Sequence, residues 1–350
     1  MVVNMERKLA SIQLIKDLQP IVGADKIKVA TVLGWQCVVK NEEFNIGDKC
    51  VYFEIDSILP IAPWNDHLRK DGKPVRVKTI RLRGQLSQGL ALPMSLLPVG
   101  EYELNQDVTE LIGVEKYELP VPAQLAGQVK GNFPSVYISK TDEIRIQTVE
   151  DVIQECIDNE LDMIGSLKCD GSSMTSGFIP YPNELGEKRN EFVVCSRNLN
   201  LKETEDNAFW KMARTLKLEE NLSKLDHPYV VQGELLGPGI QKNRMGFNEL
   251  TFRVFNVKNI DSNTYLDRMW LERFCYEMGL TIVPIVARKV FTKEDTIQSL
   301  LELSNSLMYD TGHPAEGIVW RSAGEVYSEV LKGRMSFKVI SNKYLELTKE

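Results

Sequence analysis

Five charged residues lie inside or next to short apolar runs in the second half of the chain, where a plain core strand carries none. They are Lys168, Arg197, Glu234, Glu316 and Lys338. Short apolar runs rich in β-branched residues predict strands. A buried acid or lysine is costly unless it is paired or bound to a metal. Any one of the five is explained by a strand that ends at the surface, whereas all five together favour one shared polar site.

Lys168 stands out because the turn that follows it is sharp. The run Gly165–Leu167 leads into Lys168, and Asp170 and Gly171 follow. This spacing is typical of a nucleophilic lysine on a strand that turns at the glycine. Taken alone, the tetrapeptide is more typical of a surface turn closed by Asp170 and Gly171.

Composition divides the chain into an all-β part and a mixed part. Residues 1–115 contain β-rich runs at 26–33, 35–39 and 49–55, separated by glycine- and asparagine-containing turns. This pattern predicts a small OB-like β-barrel. Residues 116–134 are rich in proline and glycine and predict a linker. Residues 135–350 alternate helical and strand patterns, so the overall fold class is α+β, with a second domain of antiparallel sheets and helices.

Helix start signals occur at several places in the second domain. Thr148 opens a capping-box pattern, and residues 207–216 and 265–278 have helical spacing of apolar residues. Gly279 predicts the end of the second of these helices. Thr292 predicts the start of a further helix that contains Leu300 and Leu301.

A basic stretch in the first domain contrasts with the net charge of −7 of the whole chain. Residues 69–83 carry seven cations against Asp71 alone, interleaved with apolar residues. One strand with a bulge near Thr79 would bring Arg76, Lys78, Arg81 and Arg83 to one face. Such a face suits contacts to a phosphate backbone, and a solvated charged strand is the alternative.

Cysteine and histidine usage gives no sign of disulfides or zinc. The six cysteines lie mostly among apolar residues without Cys-x-x-Cys spacing, and the three histidines are far apart. We therefore expect buried free thiols, as in a reducing compartment. No apolar run reaches the length of a membrane span. The expectation is a soluble intracellular monomer, cytoplasmic or nuclear, without a membrane partner.

Six segments resemble, in order, motifs I, Ia, III, IIIa, IV and V of the covalent nucleotidyltransferases, which comprise ATP-dependent DNA and RNA ligases and mRNA-capping guanylyltransferases. The segments are 168–171, 196–198, 232–235, 252–257, 316–319 and 337–339. Segments 18–25, 34–39, 55–60 and 79–84 further resemble RNA ligases that carry an OB module before the ligase core. The resemblance implies an OB domain followed by an adenylyltransferase domain with an ATP-grasp-like ligase core.

The resemblance also implies roles for individual residues. Lys168 would attack the α-phosphorus of ATP, and Lys338 would neutralise the α-phosphate. The implied catalytic residues are Lys168, Asp170, Arg197, Glu234, Glu316 and Lys338. The implied metal ligands, for Mg²⁺ or Mn²⁺, are Asp170, Glu234 and Glu316. The implied nucleotide contacts are Leu167, Lys168, Gly171, Arg197, Asn198, Glu234, Phe255, Val319 and Lys338.

For Phe255 and Val319, which would stack on the two faces of adenine, an ordinary core position is an equal alternative. The sequence departs from the family at Ser336, where related ligases often have a second lysine. Lys332, Arg334 and Lys343 are the candidates for the missing cation. Residues 140–147 resemble the segment before motif I and are expected to border the nucleotide pocket, and residues 237–243 form either a loop near the active site or a tight turn.

The implied function is an ATP-dependent RNA ligase that joins a 3′-hydroxyl to a 5′-phosphate through enzyme–AMP and RNA–adenylate intermediates, with a nicked duplex as the preferred RNA substrate. Two alternatives remain open at this point. One is a GTP-dependent capping-type nucleotidyltransferase. The other is a nucleic-acid-binding protein that has the fold without the activity.

Overall fold

The computed structural model describes residues 7–69, 72–118, 127–182 and 188–348, and these divide into two units. One unit contains the described residues up to 118 together with 144–152 and 345–348. The other contains residues 127–143 and the described part of 153–344. Residues 119–126 of the predicted linker lie outside the described residues, and the domain boundaries at 115 and 135 stay predictions.

The described residues up to 118 form strands and one short α-helix, which confirms the predicted β-structure. The elements are β1 (Ala10–Ile21), β2 (Ala24–Val32), β3 (Trp35–Lys40), β4 (Lys49–Phe53), β5 (Ser57–Leu59), β6 (Val75–Arg76), β7 (Ile80–Leu82), β8 (Gln85–Ser87), β9 (Leu90–Pro93), α1 (Thr109–Ile112) and β10 (Glu115–Lys116).

The long strand β1 organises this unit because it pairs on both sides. Its first residues, 10–14, pair with β4, and after a register shift between Ile15 and Asp17 it pairs with β2. The resulting sheet has the order β3-β2-β1-β4-β9. A bulge of this kind increases twist and bends the strand, which curls the sheet as an OB-type half-barrel requires.

The basic stretch is not the single bulged strand that the alternation predicts. It forms β6, which pairs with β5, and β7, which pairs with β8 in a separate hairpin. Val77, which follows β6, is buried, and its backbone bonds to Ser57 and Asp56. Arg81 forms an ion pair with Glu346. Lys70 and Asp71 lie outside the described residues.

Arg76 and the other cations of the stretch differ in their surroundings. The Arg76 guanidinium lies over the Tyr117 ring, 3.5 Å from its centroid, and donates to Asp56 at 2.7 Å. Lys78, Arg81 and Arg83 are exposed. Lys78 and Arg83 are therefore the cations best placed to meet a polyanion.

The rest of the chain combines strands and helices, as predicted. The elements are β11 (Val129–Asn132), β12 (Ile144–Arg145), α2 (Asp151–Asp158), β13 (Asp162–Lys168), β14 (Ser172–Pro182), β15 (Lys188–Cys195), β16 (Leu199–Leu201), α3 (Ala208–Thr215), α4 (Leu218–Leu222), β17 (Tyr229–Leu236), β18 (Thr251–Asn259), β19 (Thr264–Tyr265), α5 (Arg268–Glu277), β20 (Thr281–Ile282), β21 (Ile285–Val290), α6 (Ile297–Ser306), β22 (Gly317–Ser322), β23 (Tyr327–Ser328), β24 (Gly333–Arg334), β25 (Ser336–Ile340) and α7 (Asn342–Thr348).

Two mainly antiparallel sheets form the second unit. The larger has the order β11-β16-β15-β14-β17-β18-β19, with β20 parallel to β18. Helices α3, α4 and α5 cover one of its faces through a core that includes Trp210, Leu222 and Leu271. The burial of this apolar surface provides the main stabilisation of the unit.

The second sheet contains the order β25-β22-β13-β21. Its core side holds Trp320 and Phe337, both fully buried, and Phe291 contacts each of their rings. Helix α6 packs on the same sheet and is fixed by Ser304, whose hydroxyl donates to the Val339 carbonyl at 3.0 Å. The opposite side of the sheet is left for polar residues.

Helix boundaries follow the capping side chains. Helix α5 begins at Arg268 because the Asp267 carboxylate accepts the Trp270 amide, so it starts three residues after the predicted position. The helix expected to start at Thr292 starts instead at Ile297, with Thr296 as the N-cap. Thr292 precedes it in a turn, where its amide donates to the Asp295 carboxylate at 2.9 Å.

All six cysteines are buried free thiols, as the sequence predicted. Burial raises the pKa of the Cys37 and Cys195 thiols to about 12, which keeps both protonated at neutral pH. Over the described ranges, no helix combines the length and the apolar character needed to cross a bilayer.

The N-cap of α3 gives a test of the fold. The buried Asn207 side chain accepts the Phe209 and Trp210 amides and donates to Gln128 at 2.7 Å. We expect Asn207→Ala to lower the free energy of unfolding by about 1–2 kcal/mol, measured by urea denaturation. Replacement of the exposed Asn248 by alanine is the control and should change it by less than about 0.5 kcal/mol. Equal stability of the two variants would contradict the role of this cap.

Candidate active site

Lys168 is the last residue of β13 and lies on the polar side of the second sheet. In the antiparallel register, Ser166 is opposite Val319, and Val319 is opposite Lys338. Directly opposed residues share a face, and residues two apart on a strand share it too. The sheet therefore brings Lys168, Val319 and Lys338 to one surface, as the predicted site requires.

A close ion pair joins Lys168, in the first of the six motif segments, to Glu316, in the fifth. The Lys168 Nζ atom lies 2.9 Å from Glu316 Oε1, although the two residues are 148 positions apart. Burial lowers the pKa of Lys168, but the charges of Glu316 and then Glu234 outweigh burial and hold it above its usual range. The resting lysine is therefore a protonated ammonium.

Glu234 completes this group from the other sheet. It lies on β17 opposite Ser173 and Arg253. Burial raises the pKa of the Glu234 carboxyl to about 8, with the Glu316 charge adding to the rise and Lys168 opposing it. Two interacting ionisable groups with shifted pKa values, Lys168 and Glu234, in one partly buried place are typical of a functional site.

Gly171 is required by a close approach of strands. A Cβ atom built on Gly171 would lie 2.3 Å from the Leu235 carbonyl oxygen. No larger residue fits without movement of β17, which carries Glu234. The glycine therefore lets the turn after Lys168 pack directly against the strand of the third motif.

Asp170 is held by a residue that the sequence did not single out. Its carboxylate accepts Arg244 Nη1 at 2.5 Å, and the same nitrogen donates to the Tyr344 hydroxyl at 3.0 Å. Both charged side chains are largely buried. Arg244 follows the loop 237–243 directly, so the structure brings that loop next to the Lys168 turn, and the predicted metal contact of Asp170 stays a prediction.

Arg197 and Asn198 face the segment before the first motif. Arg197 Nη2 donates to Asp142 at 2.5 Å, and its charge is near enough to lower the pKa of Lys168. Asn198 Oδ1 accepts Lys140 Nζ at 3.0 Å. The segment 137–143 is further fixed by Thr141, whose hydroxyl is 2.8 Å from that of Ser173. Residues 140–142 of the predicted segment 140–147 thus contact Arg197, Asn198 and Ser173, and its place at the nucleotide pocket stays a prediction.

Phe255 occupies a bulge in β18. The register of β17 and β18 passes from Asn256 to Val254 opposite consecutive residues of β17, so Phe255 has no ladder partner. Its carbonyl accepts Arg321 Nη1 at 3.2 Å instead, and its ring lies 5.6 Å from the same guanidinium. Arg321 therefore contacts both the backbone and the ring of Phe255 at the bulge, and the ring packs against the cluster that contains Cys169 and Leu236.

Arg321 also contacts Ser336, the position where related ligases often have a second lysine. The two residues are opposite each other, and Arg321 Nε donates to the Ser336 hydroxyl at 3.0 Å. Arg321 in turn pairs with Glu143 at 2.6 Å. Of the three candidates from the sequence, Lys332 pairs with Glu329 and Lys343 is exposed on α7. Arg334 pairs with Glu325 and lines the same cavity as Phe255 and Arg321, so it stays a candidate.

Leu167 is a predicted nucleotide contact whose backbone is partly engaged. Its amide donates to the Pro284 carbonyl at 2.8 Å. As the neighbour of Lys168 on a strand, its side chain lies on the opposite side of the sheet. The residues that sequence reasoning missed are Glu143, Arg244, Tyr309 and Arg321, each of which has a partner at least 74 positions away.

The donor set around Lys168 fits a hydrated divalent cation. In the part of the chain that the structure describes, no three acidic, histidine or cysteine residues form a closed metal cluster. The Glu234 and Glu316 carboxylates nevertheless interact closely enough to raise the pKa of Glu234. Mg²⁺ keeps several waters and uses one or two carboxylates together with substrate phosphates, so two such groups are sufficient.

Comparisons with known proteins agree with this geometry. A family model for RNA ligase matches residues 162–340. The solved structure of Naegleria gruberi RNA ligase with pyrophosphate is 34% identical, covers 98% of this chain and 99% of its own, and superposes with a TM-score of 0.83. The chain belongs to the RNA ligase family.

Further solved structures and a second family model support the assignment of both halves of the ligase. Two mutants of the Naegleria gruberi RNA ligase were solved, one with AMP and manganese and one with ATP and manganese. Each is 34% identical to this chain, covers 98% of it and superposes with a TM-score of 0.85. The match covers 99% of the first mutant's chain and 100% of the second's. An OB-fold domain model matches residues 9–94. No curated protein sequence matches the ligase.

The Asp170–Arg244 ion pair gives a test of the site's framework. We expect Arg244→Met to lower the free energy of unfolding by roughly 3 kcal/mol, because it leaves the Asp170 carboxylate buried without that partner. The measurement is urea denaturation. Arg288→Met is the matched control, since Arg288 pairs with Asp162 on an exposed strand and should contribute less than about 1 kcal/mol. Equal losses of unfolding free energy in the two variants would show that the buried ion pair stabilises the fold no more than the exposed one does.

Proposed function

We propose that the chain is an ATP-dependent RNA ligase that joins a 3′-hydroxyl to a 5′-phosphate through a lysyl–AMP intermediate on Lys168. The observation that carries the proposal is the placement of Lys168 with Glu316 at 2.9 Å and with Glu234, on the same sheet surface as Lys338. The similarity to a ligase solved with ATP and manganese supports the choice of ATP.

In the first step, the Lys168 amine attacks the α-phosphorus of ATP and pyrophosphate leaves. The amine must first lose a proton, which costs about 4–5 kcal/mol at pH 7 for a lysine with its usual pKa. Glu316 adds to this cost in the resting site because its charge stabilises the ammonium. Activation therefore needs a change of charge around Lys168.

We assign the divalent cation to Glu234 and Glu316, with Asp170 as the remaining predicted ligand. When bound, the cation supplies positive charge that offsets these carboxylates and stabilises charge on the phosphates. Lys338 adds a second cation on the same surface, which disfavours the ammonium form of Lys168 and stabilises the α-phosphate in the transition state. The Glu316 carboxylate would then interact with the cation as well as with the Lys168 amine.

The nucleotide would lie between the two sheets. Phe255 would stack on one face of adenine and Val319 on the other, since each presents an apolar group at the site. Arg197 and Asn198 would contact the ribose, the phosphates or the RNA end. Arg197 is half-exposed and its pairing with Asp142 is accessible to solvent, so an anionic phosphate can compete for it.

The two later steps transfer the adenylate and seal the RNA. A 5′-phosphate oxygen attacks the phosphorus of lysyl–AMP and releases the Lys168 amine. The 3′-hydroxyl then attacks the 5′-phosphate and AMP leaves, so a phosphodiester forms and one ATP is consumed. A nick in a duplex is our preferred substrate because the basic residues of the N-terminal unit suit continuous backbone.

Adenylylation gives the first test. Wild-type protein incubated with α-labelled ATP and Mg²⁺ should acquire a covalent label on Lys168, detected after denaturing electrophoresis and peptide mapping. Lys168→Ala should remove the label because no other amine lies at the end of β13. Lys224→Ala is the control, since Lys224 is exposed and pairs with Glu220.

The nucleotide that labels the protein distinguishes the candidate functions. Label from GTP and none from ATP would indicate a capping-type enzyme and overturn the ligase proposal. No covalent label from either nucleotide, with retained binding to RNA, would support a non-catalytic binding protein. Label from ATP that persists in Lys168→Ala would contradict the assignment of the nucleophile.

The exposed cations of the N-terminal unit give the second test. We expect the double variant Lys78→Glu and Arg83→Glu to lower sealing of a nicked RNA duplex about tenfold and to leave Lys168 adenylylation within twofold. Each lost phosphate contact also reduces the salt dependence of RNA binding, measured as the slope of log K against log salt.

Lys40→Glu is the control for this surface, because Lys40 is exposed in the same unit but lies outside the basic stretch. The same assay compares matched nicked duplexes with free single-stranded ends and with DNA at each terminus. Wild-type sealing that is faster on free ends than on nicks would refute the nicked duplex as the preferred substrate. Unchanged sealing by the double variant would refute the role of the basic stretch.

A further inference from the structure

Tyr309 connects the backbones of the two residues whose side chains form the central ion pair. Its hydroxyl donates to the Lys168 carbonyl at 2.8 Å and accepts the Glu316 amide at 3.0 Å. A phenol has one proton to donate and oxygen lone pairs to accept, so both capacities are used here. The residue is 5% exposed, which makes both bonds strong relative to the same bonds in water.

The position of these bonds is at the end of a ladder. The register of β13 and β22 ends where Lys168 is opposite Gly317, and Glu316 precedes β22 by one residue. Strand ends lack further ladder bonds on one side and open more readily than strand centres. The Tyr309 hydroxyl bridges the two chains at this end and thereby continues their connection past the last pair.

Tyr309 itself is fixed by a tight turn between α6 and β22. Its amide donates to the His313 carbonyl at 2.8 Å, and its carbonyl accepts the Gly312 amide at 2.9 Å. The Thr311 hydroxyl donates to the Arg244 carbonyl at 2.6 Å, which connects the turn to the loop that holds Asp170. The two backbone bonds to Gly312 and His313 therefore hold Tyr309 independently of Lys168 and Glu316.

We propose that Tyr309 is a positioning residue for adenylylation: it sets the backbone of Lys168 against that of Glu316 so that the Lys168 amine meets the α-phosphorus in line. This inference rests on the proposed lysyl–AMP chemistry and extends it to a residue that touches neither nucleotide nor metal. In-line attack depends on the position of the nucleophile to within a fraction of an ångström, so a loosened strand end slows the step without weakening ATP binding.

The test is Tyr309→Phe, which removes one oxygen atom and keeps the buried ring. In single-turnover labelling with α-labelled ATP, we expect the rate constant at saturating ATP to fall about tenfold. The ATP concentration that gives half the maximal rate should stay within twofold, because the proposed nucleotide contacts are unchanged. A rate that falls while the ATP dependence is constant separates positioning from binding.

Two control variants match Tyr309→Phe in chemistry and in place. Tyr52→Phe removes a buried tyrosine hydroxyl that donates to the Gln88 carbonyl at 2.9 Å in the N-terminal unit. Thr311→Val removes the other side-chain hydroxyl bond of the same turn, one that does not reach Lys168 or Glu316. Both should label at rates within twofold of wild type. Rates are expressed per ATP-binding site, so a partly unfolded preparation does not mimic a slow variant.

The outcomes separate this inference from the proposed function. Labelling of Tyr309→Phe at the wild-type rate would overturn the positioning role and leave the ligase function intact. Equal slowing of Thr311→Val or Tyr52→Phe would assign the effect to the turn or to general stability, which also overturns it. An altered ATP dependence with an unchanged maximal rate would make Tyr309 a binding residue instead. Absence of label in the wild type would overturn the proposed function and this inference with it.

Discussion

The Lys168–Glu316 ion pair is the interaction on which the rest of the site depends. It places a carboxylate 2.9 Å from the amine that the proposed chemistry requires as a nucleophile, and so stabilises the form of that amine which cannot react. Without a carboxylate beside it, a partly buried lysine would lose its proton more readily. While it was still protonated, however, it would be a desolvated cation without a partner before the substrates arrive. The pair keeps the resting site stable and makes reactivity depend on what binds to Glu316 and Glu234.

The surroundings of this pair explain why six separate segments are needed. Lys168 and Glu316 come from neighbouring strands of one sheet, whereas Glu234 and Phe255 come from the other sheet. Gly171 lets the two sheets approach at the turn, because a Cβ atom there would meet the Leu235 carbonyl. Arg321 connects them again through the Phe255 carbonyl, so the space between the sheets is bounded at two ends by contacts that fix its width.

Sequence reasoning found the charged residues of the site because each breaks an apolar strand pattern, and a charge in such a place has few explanations. It could not find Tyr309 or Arg244, since a tyrosine after a helix and an arginine in a glycine-containing loop break no local pattern. Their partners, Lys168 and Asp170, are 141 and 74 positions away. The start of helix α6 shows the same limit on a smaller scale, since Thr292 and Thr296 are both suitable N-cap residues. In the structure the Asp295 carboxylate accepts the Thr292 amide in a turn, and Thr296 is the N-cap.

The departure at Ser336 shows how packing answers a question that spacing leaves open. A search along the chain for the missing cation selects neighbours such as Lys332 and Lys343, whereas the sheet places Arg321, fifteen positions earlier, directly opposite Ser336. Arg334, also selected along the chain, lines the same cavity as Arg321. Glu143 balances the charge of this guanidinium. Burial raises the pKa of Glu143, but Arg321 outweighs burial and the carboxyl pKa is lowered, so it stays ionised. Arg321 therefore gives this end of the site a fixed guanidinium with a permanent counter-charge, in contrast to Lys338, which lies on the same surface two residues further along β25.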